Sequence, residues 1–196
     1  RATIGEGHPT YATHLNNLAW ALAEAGNFAR AQRLCQDGLD LRLELGPRYP
    51  IALSYNTLGL IGTRYDQPHR ARRHCERALS IFRDLGQQRG IGLASIALAE
   101  ALRRSADVPG LYFPEERVDL LRMGQQYAQE AVDIFKDAVY EPLRLAEAYL
   151  ELGCTYRDWA RLYPLYEHQG DPKRSELLAK GEQALRHCAQ AAANMP

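Results

Sequence analysis

The dipeptides His74-Cys75 and His187-Cys188 set an imidazole beside a thiol twice in one chain, and these are donor types that hold zinc. One metal needs its ligands at about 2.0 to 2.3 Å, and the repeat described below places the two pairs a whole unit apart. Each pair therefore reads as a core Cys beside a partly exposed His, and no metal site is expected. Glu115-Glu116 offers an acid and a base, but adjacent residues on a helix point apart, and two carboxylates suit a helix start. The sequence carries none of the patterns G-x-x-x-x-G-K-S/T, G-x-G-x-x-G, H-E-x-x-H or G-x-S-x-G. No catalytic residue and no cofactor is expected, and the chain reads as a non-enzyme.

Binding chemistry is better represented. Asn16 and Asn56 each carry donors and an acceptor in one planar amide. Arg64, Arg103, Arg104 and Arg157 can make charge-assisted bonds to carboxylates. Lys plus Arg and Asp plus Glu balance at 24 each in 196 residues, which removes net charge as a reason to expect nucleic acid or a membrane surface as partner. No apolar run approaches the length of a membrane span, and Arg1-Ala2-Thr3-Ile4-Gly5 lacks the form of a secretion signal. Cys35, Cys75, Cys154 and Cys188 form no C-x-x-C pair and read as reduced thiols, so a cytoplasmic location is expected. The absent initiator Met and the ending Asn194-Met195-Pro196 are those expected of a piece of a longer polypeptide.

The elements that must position these groups come from an internal repeat. Ala12 to Ala19, Ala52 to Gly59 and Gly92 to Ala99 align at successive offsets of 40, and Ala146 to Gly153 is a fourth copy. Each is followed by a second signature, at Ala31 to Cys35, Ala71 to Cys75, a divergent Gly124 to Ala128, and Ala184 to Cys188. Apolar residues recur at helical spacing in both segments, so each unit holds two amphipathic helices, with Gly26-Asn27 and Asp66-Gln67-Pro68 as the turns in the first two. Small residues at Ala19, Gly59, Ala99 and Gly153, and at Ala31, Ala71, Gly124 and Ala184, stand where paired helices approach closely.

This pattern resembles the tetratricopeptide repeat, best over Ala12 to Leu41 and Ala146 to Tyr156. The longer period and the phrases Gly7-His8-Pro9-Thr10-Tyr11-Ala12 and Leu45-Gly46-Pro47-Arg48-Tyr49-Pro50 look more like kinesin light chain repeats, which are also similar to sensor arms of bacterial signal-transduction ATPases. The resemblance implies an all-α, right-handed superhelical solenoid of four helix pairs in a single domain over 1–196, with repeats near 10–45, 50–86, 90–137 and 142–194. The third and fourth pairs depart from the pattern by insertions. Asp107-Val108-Pro109-Gly110 predicts a turn, Pro114-Glu115-Glu116 a helix start, Tyr156, Trp159, Tyr163 and Tyr166 a first helix running on toward Tyr163-Pro164, and Asp171-Pro172 the opening of the last helix.

Stacked pairs present a concave face lined by the first helix of each, and such faces bind extended partners. The register puts Asn16, Asn56, Ile96 and Leu150 on that face, then Trp20, Leu60, Glu100 and Cys154, then Ala23, Thr63, Arg103 and Arg157, flanked by Glu24, Arg64 and Arg104. The groove expected for a ligand or peptide is thus Asn16, Trp20, Asn56, Leu60, Arg64, Glu100, Arg103, Arg104, Leu150 and Arg157. The Lys and Asn of a carboxylate clamp for chaperone tails are not at these positions. Residues 1–112 carry 14 basic and 10 acidic side chains and the rest 10 and 14, which permits head-to-tail association of copies as a homo-oligomer. The expected function is a protein-binding or peptide-binding scaffold, its partner a protein segment or another domain of the parent chain. The alternative is a small-ligand-sensing or self-association arm of a bacterial signalling ATPase or transcription regulator. Cys35, Cys75 and Cys188 are expected to be buried, with Cys154 at the groove and the first to be labelled.

Overall fold

The computed structural model describes residues 8–65, 67–162 and 173–195, the side chain of Leu45 excepted. The expectations for Gly7, Asp66, Tyr163, Pro164, Tyr166, Asp171 and Pro172 lie outside the described residues. Among those described, the chain is all-α: α1 (Pro9–Glu24), α2 (Phe28–Leu45), α3 (Arg48–Arg64), α4 (Pro68–Asp84), α5 (Gln88–Ala106), α6 (Pro114–Asp133), α7 (Pro142–Leu162) and α8 (Arg174–Ala193). Consecutive helices pair as hairpins, and none of those described is long and apolar enough to cross a membrane.

Local chemistry explains the boundaries. Pro9, Pro68 and Pro114 start α1, α4 and α6, where a missing N–H costs nothing. At the start of α1, His8 Nδ1 accepts from the Thr10 N–H at 3.1 Å. Gly26 and Gly46 follow α1 and α2 with φ of +79° and +91°, a left-handed turn that a side chain would oppose. The insertion in the third pair becomes the 107–113 connection, with Gly110 at φ +71°, and the opening turns of α6, which Glu116 caps by accepting from the Phe113 N–H at 2.8 Å. The end of α6 widens into a π-helical turn, Ile134–Ala138.

The chain divides into two compact units, residues 1–90 and 91–196. In the first, Ala19, Ala23, Ala31, Cys35 and Leu39 of the α1/α2 hairpin form one cluster with Ile51, Leu58 and Ile61 of α3. In the second, Ala99, Ala128, Ala131, Val132 and Phe135 are closed over by Ala148, Leu152 and Ala184. The small residues let backbones meet: a Cβ at Gly59 would stand 2.3 Å from Cys75 Sγ, and one at Gly153 would stand 2.8 Å from Leu185 Cγ. Tight packing of this kind leaves no room for added methyl groups. Trp159 is buried, with the Arg122 guanidinium 5.8 Å above its ring, and Tyr156 packs at the edge of the same unit's core.

Candidate functional site

In the first unit, side chains of α1 and α3 meet at Arg64. Arg64 lies over the Trp20 indole at 5.3 Å from the ring centroid and is ion-paired with Glu24, so three of the side chains expected on the binding face form one cluster. A guanidinium on an indole face is an attractive cation–π arrangement that holds both groups in place. Trp20 nevertheless remains 37% exposed. Asn16, one turn before it, is half-buried, and its Oδ1 accepts from the Cys35 thiol at 3.5 Å. Leu60 is half-buried. Asn56 is buried, and its Oδ1 finds no donor among the described residues, so its acceptor oxygen does not reach solvent.

In the second unit the arginines have partners of their own. Arg103 Nε and Nη2 donate to the two oxygens of Glu151 at 2.6 and 3.1 Å, and Nη1 donates to Asp158 at 3.1 Å, tying α5 to α7. Asp158 also accepts from Arg157 at 3.0 Å and from Arg161 at 3.4 Å, while Arg104 donates to Glu100 at 2.9 Å. The carboxylates that these guanidiniums bind are the chain's own. Glu151 is 7% exposed, and burial pushes its carboxyl up to about 7 against the pull of Arg103. Burial alone would lower the Arg103 pKa, but its bonds to Glu151 and Asp158 outweigh that and raise it. A cavity of about 80 Å³ lies beside this network, well below the roughly 300–1,000 Å³ of a small-molecule pocket. Leu150, Arg104 and Arg157 are the exposed members of the expected set here.

Glu151 and Asp158 were not among the expected site residues, although the repeat held a signal for the first. Glu151 occupies a column otherwise filled by Asn17, Thr57 and Ala97, and Arg103 shares its column with Ala23, Thr63 and Arg157. A charge that appears in a column of uncharged residues, as Glu151 does, is a reason to look for a pair.

The imidazoles of the two His-Cys dipeptides pack against aromatic rings. His74 stacks on Tyr55 at 6.0 Å, and His187 tilts against Tyr149 at 5.0 Å, the same two repeat positions in both units. Burial, helped by Arg77, lowers the His74 pKa. Among the described residues no three His, Cys, Asp or Glu side chains converge on a point.

Cys35 and Cys75 are fully buried, whereas Cys188 is only half-buried, contrary to its expected equivalence with them. The Cys35 thiol is covered by α3 and donates to the Ser54 carbonyl at 3.6 Å. Burial pushes the Cys35 thiol up to about 12, which suppresses the reactive thiolate. Iodoacetamide under native conditions is therefore expected to label Cys154 and Cys188, leaving Cys35 and Cys75 for the unfolded chain. Peptide mass spectrometry reads this directly. Label on Cys35 before global unfolding would contradict the packing of α2 against α3.

No protein-family model and no curated protein matches the chain. Among solved structures it is similar to a putative kinesin light chain of Podosopora anserina with nearly identical TPR-like repeats, at 13% identity, covering 95% of this chain and 97% of that chain with a TM-score of 0.49.

Proposed function

We propose that the chain is a non-catalytic interaction module that grips a segment of another protein, or of another domain of its parent chain, on the face carrying Trp20. The supporting observation is the Trp20–Arg64–Glu24 cluster, an exposed indole braced by a guanidinium. Trp and Arg are the residues that most often dominate the energy of a protein interface, and bracing reduces the entropy lost on binding. Asn16 and Leu60 flank the cluster as its polar and apolar neighbours. Burial of the Asn56 oxygen gives that amide a structural place behind the face.

Peptides selected from a displayed library on the wild-type protein test this reading. The chain has two Trp and Trp159 is buried, so a shift in indole emission on binding reports Trp20. Trp20→Ala and Arg64→Ala are each expected to weaken the selected peptides about tenfold or more, a loss of roughly 1.4 kcal/mol. Undiminished binding by both variants would place recognition elsewhere.

A further inference from the structure

The Trp20 cluster has its acceptors in use and its donors to spare. Asn16 Oδ1 accepts from the Cys35 thiol at 3.5 Å, which leaves the Nδ2 end of that amide unused. The Glu24 carboxylate is taken by Arg64, and the Asn56 oxygen is buried behind the face. Asn16 Nδ2 and the Trp20 Nε1–H have no hydrogen-bond partner among the described residues, and Arg64 keeps N–H groups beyond the one given to Glu24. The ion pair also cancels the charge of the cluster.

Around these donors the face is apolar and aromatic. Trp20 is exposed, half-buried Leu60 stands one turn before Arg64 on α3, and Tyr65, the residue after Arg64, is exposed and stacks on Phe28 at 6.0 Å. A partner suited to such a face brings acceptors without donors, apolar rings and no charge. A helix spends its carbonyls on its own N–H groups, and a strand brings an N–H for every carbonyl. An acidic segment would set its carboxylates beside Glu24 and an Arg64 already neutralised. A polyproline II segment meets all three requirements, because each proline exposes a carbonyl and a ring and carries no N–H. The spacing agrees: Asn16 and Trp20 are one turn apart, about 6 Å along α1, and two residues of polyproline II rise about 6.2 Å.

We infer that the segment gripped on this face is proline-rich and extended, with one carbonyl accepting from Asn16 Nδ2 and a proline ring two residues along seated on the Trp20 indole. This rests on the reading of the Trp20 face as the binding surface. A second copy supplies no such segment, since the 10 prolines of the sequence are scattered with no two adjacent, and Pro9, Pro68, Pro114 and Pro142 open helices.

Two displayed libraries of equal length test the inference, one with Pro fixed at every third position and one without Pro. Selection on the wild-type protein is expected to return binders from the proline library with Kd at least tenfold below any from the other. Anisotropy of the fluorescein-labelled winners should show at least tenfold weaker binding to Trp20→Ala and to Asn16→Asp, which keeps an oxygen for Cys35 and removes the amide N–H groups. Circular dichroism checks that both variants fold as wild type, and Asn16→Ala, which also lacks those N–H groups, serves if the carboxylate unfolds the chain. Raised salt should change the affinity by less than about twofold, because the contact forms no new ion pair. The inference is overturned if Trp20-dependent binders from the proline-free library are as tight or tighter, if loss of the Asn16 N–H groups leaves the proline binders unaffected, or if the winners are acidic and salt-sensitive. Those outcomes leave the Trp20 face in place as the binding surface. If neither library yields a binder that Trp20→Ala weakens, the reading of that face fails and this inference with it.

Discussion

Replacing Arg103 with Met is expected to destabilise the protein by about 3–5 kcal/mol at pH 8, the cost of leaving a buried carboxylate without its counter-ion. Glu151 is the group exposed to that loss, because its two oxygens both accept from Arg103 and its burial leaves little water to replace them. Asp158 is less affected, since Arg157 and Arg161 remain on it. The deficit should depend on pH in a definite direction. With Arg103 gone, only burial acts strongly on the Glu151 carboxyl, so its pKa rises beyond the value of about 7 that it has beside Arg103. In the unfolded chain a Glu titrates near ~4.3. Across that window the folded state binds more protons than the unfolded state, so stability falls as pH rises and returns as pH falls. Urea denaturation should therefore show a large deficit at pH 8 and a smaller one at pH 6. Arg103→Met/Glu151→Leu, with no buried charge left behind, should recover most of the loss. A single variant within about 1 kcal/mol of wild type at both pH values would mean that the pair is solvated in solution.

The repeat made the helix pairs legible because pairing rests on local and periodic signals. Gly26, Pro68 and Pro114 mark turns and starts that depend on their own backbone chemistry, and Ala31, Ala71 and Ala184 mark close contacts that recur in every copy. Properties set by a neighbouring element were harder to read. Asn56 and Asn16 share a repeat position, yet one is buried and the other half-buried. Cys188 matches Cys35 in register but is only half-buried. The Arg103 guanidinium is at an expected position, but its partner is 48 residues away, and no local rule connects them. Register places a side chain on a face, whereas the depth of that face depends on what packs over it.

Arg42 is the other buried arginine, and its substitution is expected to have the opposite sign. It follows Cys35 and Leu39 in the phase of the buried stripe of α2 and is 4% exposed. Its guanidinium donates to the Pro50 carbonyl at 2.9 Å, to Ser54 Oγ at 2.7 Å and to Thr13 Oγ1 at 3.3 Å, all neutral oxygens, and its Nε has no partner. Burial pulls its pKa down, the mark of a cation held where charge is disfavoured. The equivalent positions of the next two hairpins hold Phe82 and Phe135, both fully buried, so the repeat itself accepts an apolar side chain there. Arg42→Met supplies one with little change in bulk and enough flexibility to settle into the space. The groups that it abandons are not all stranded. Ser54 can turn its hydroxyl toward the Pro50 carbonyl, four residues back on the same helix, and Thr13 is exposed to water and already bonded to Pro9. Removing a buried charge that no carboxylate neutralises should then stabilise by about 1–4 kcal/mol. For a chain of this size that corresponds to a rise in Tm of roughly 2–4 °C per kcal/mol, read by thermal denaturation at pH 7.5. A fall in Tm of that size would show that the three hydrogen bonds outweigh the desolvation of the guanidinium, and that Arg42 is the fastener between α2 and α3 rather than a burden on it.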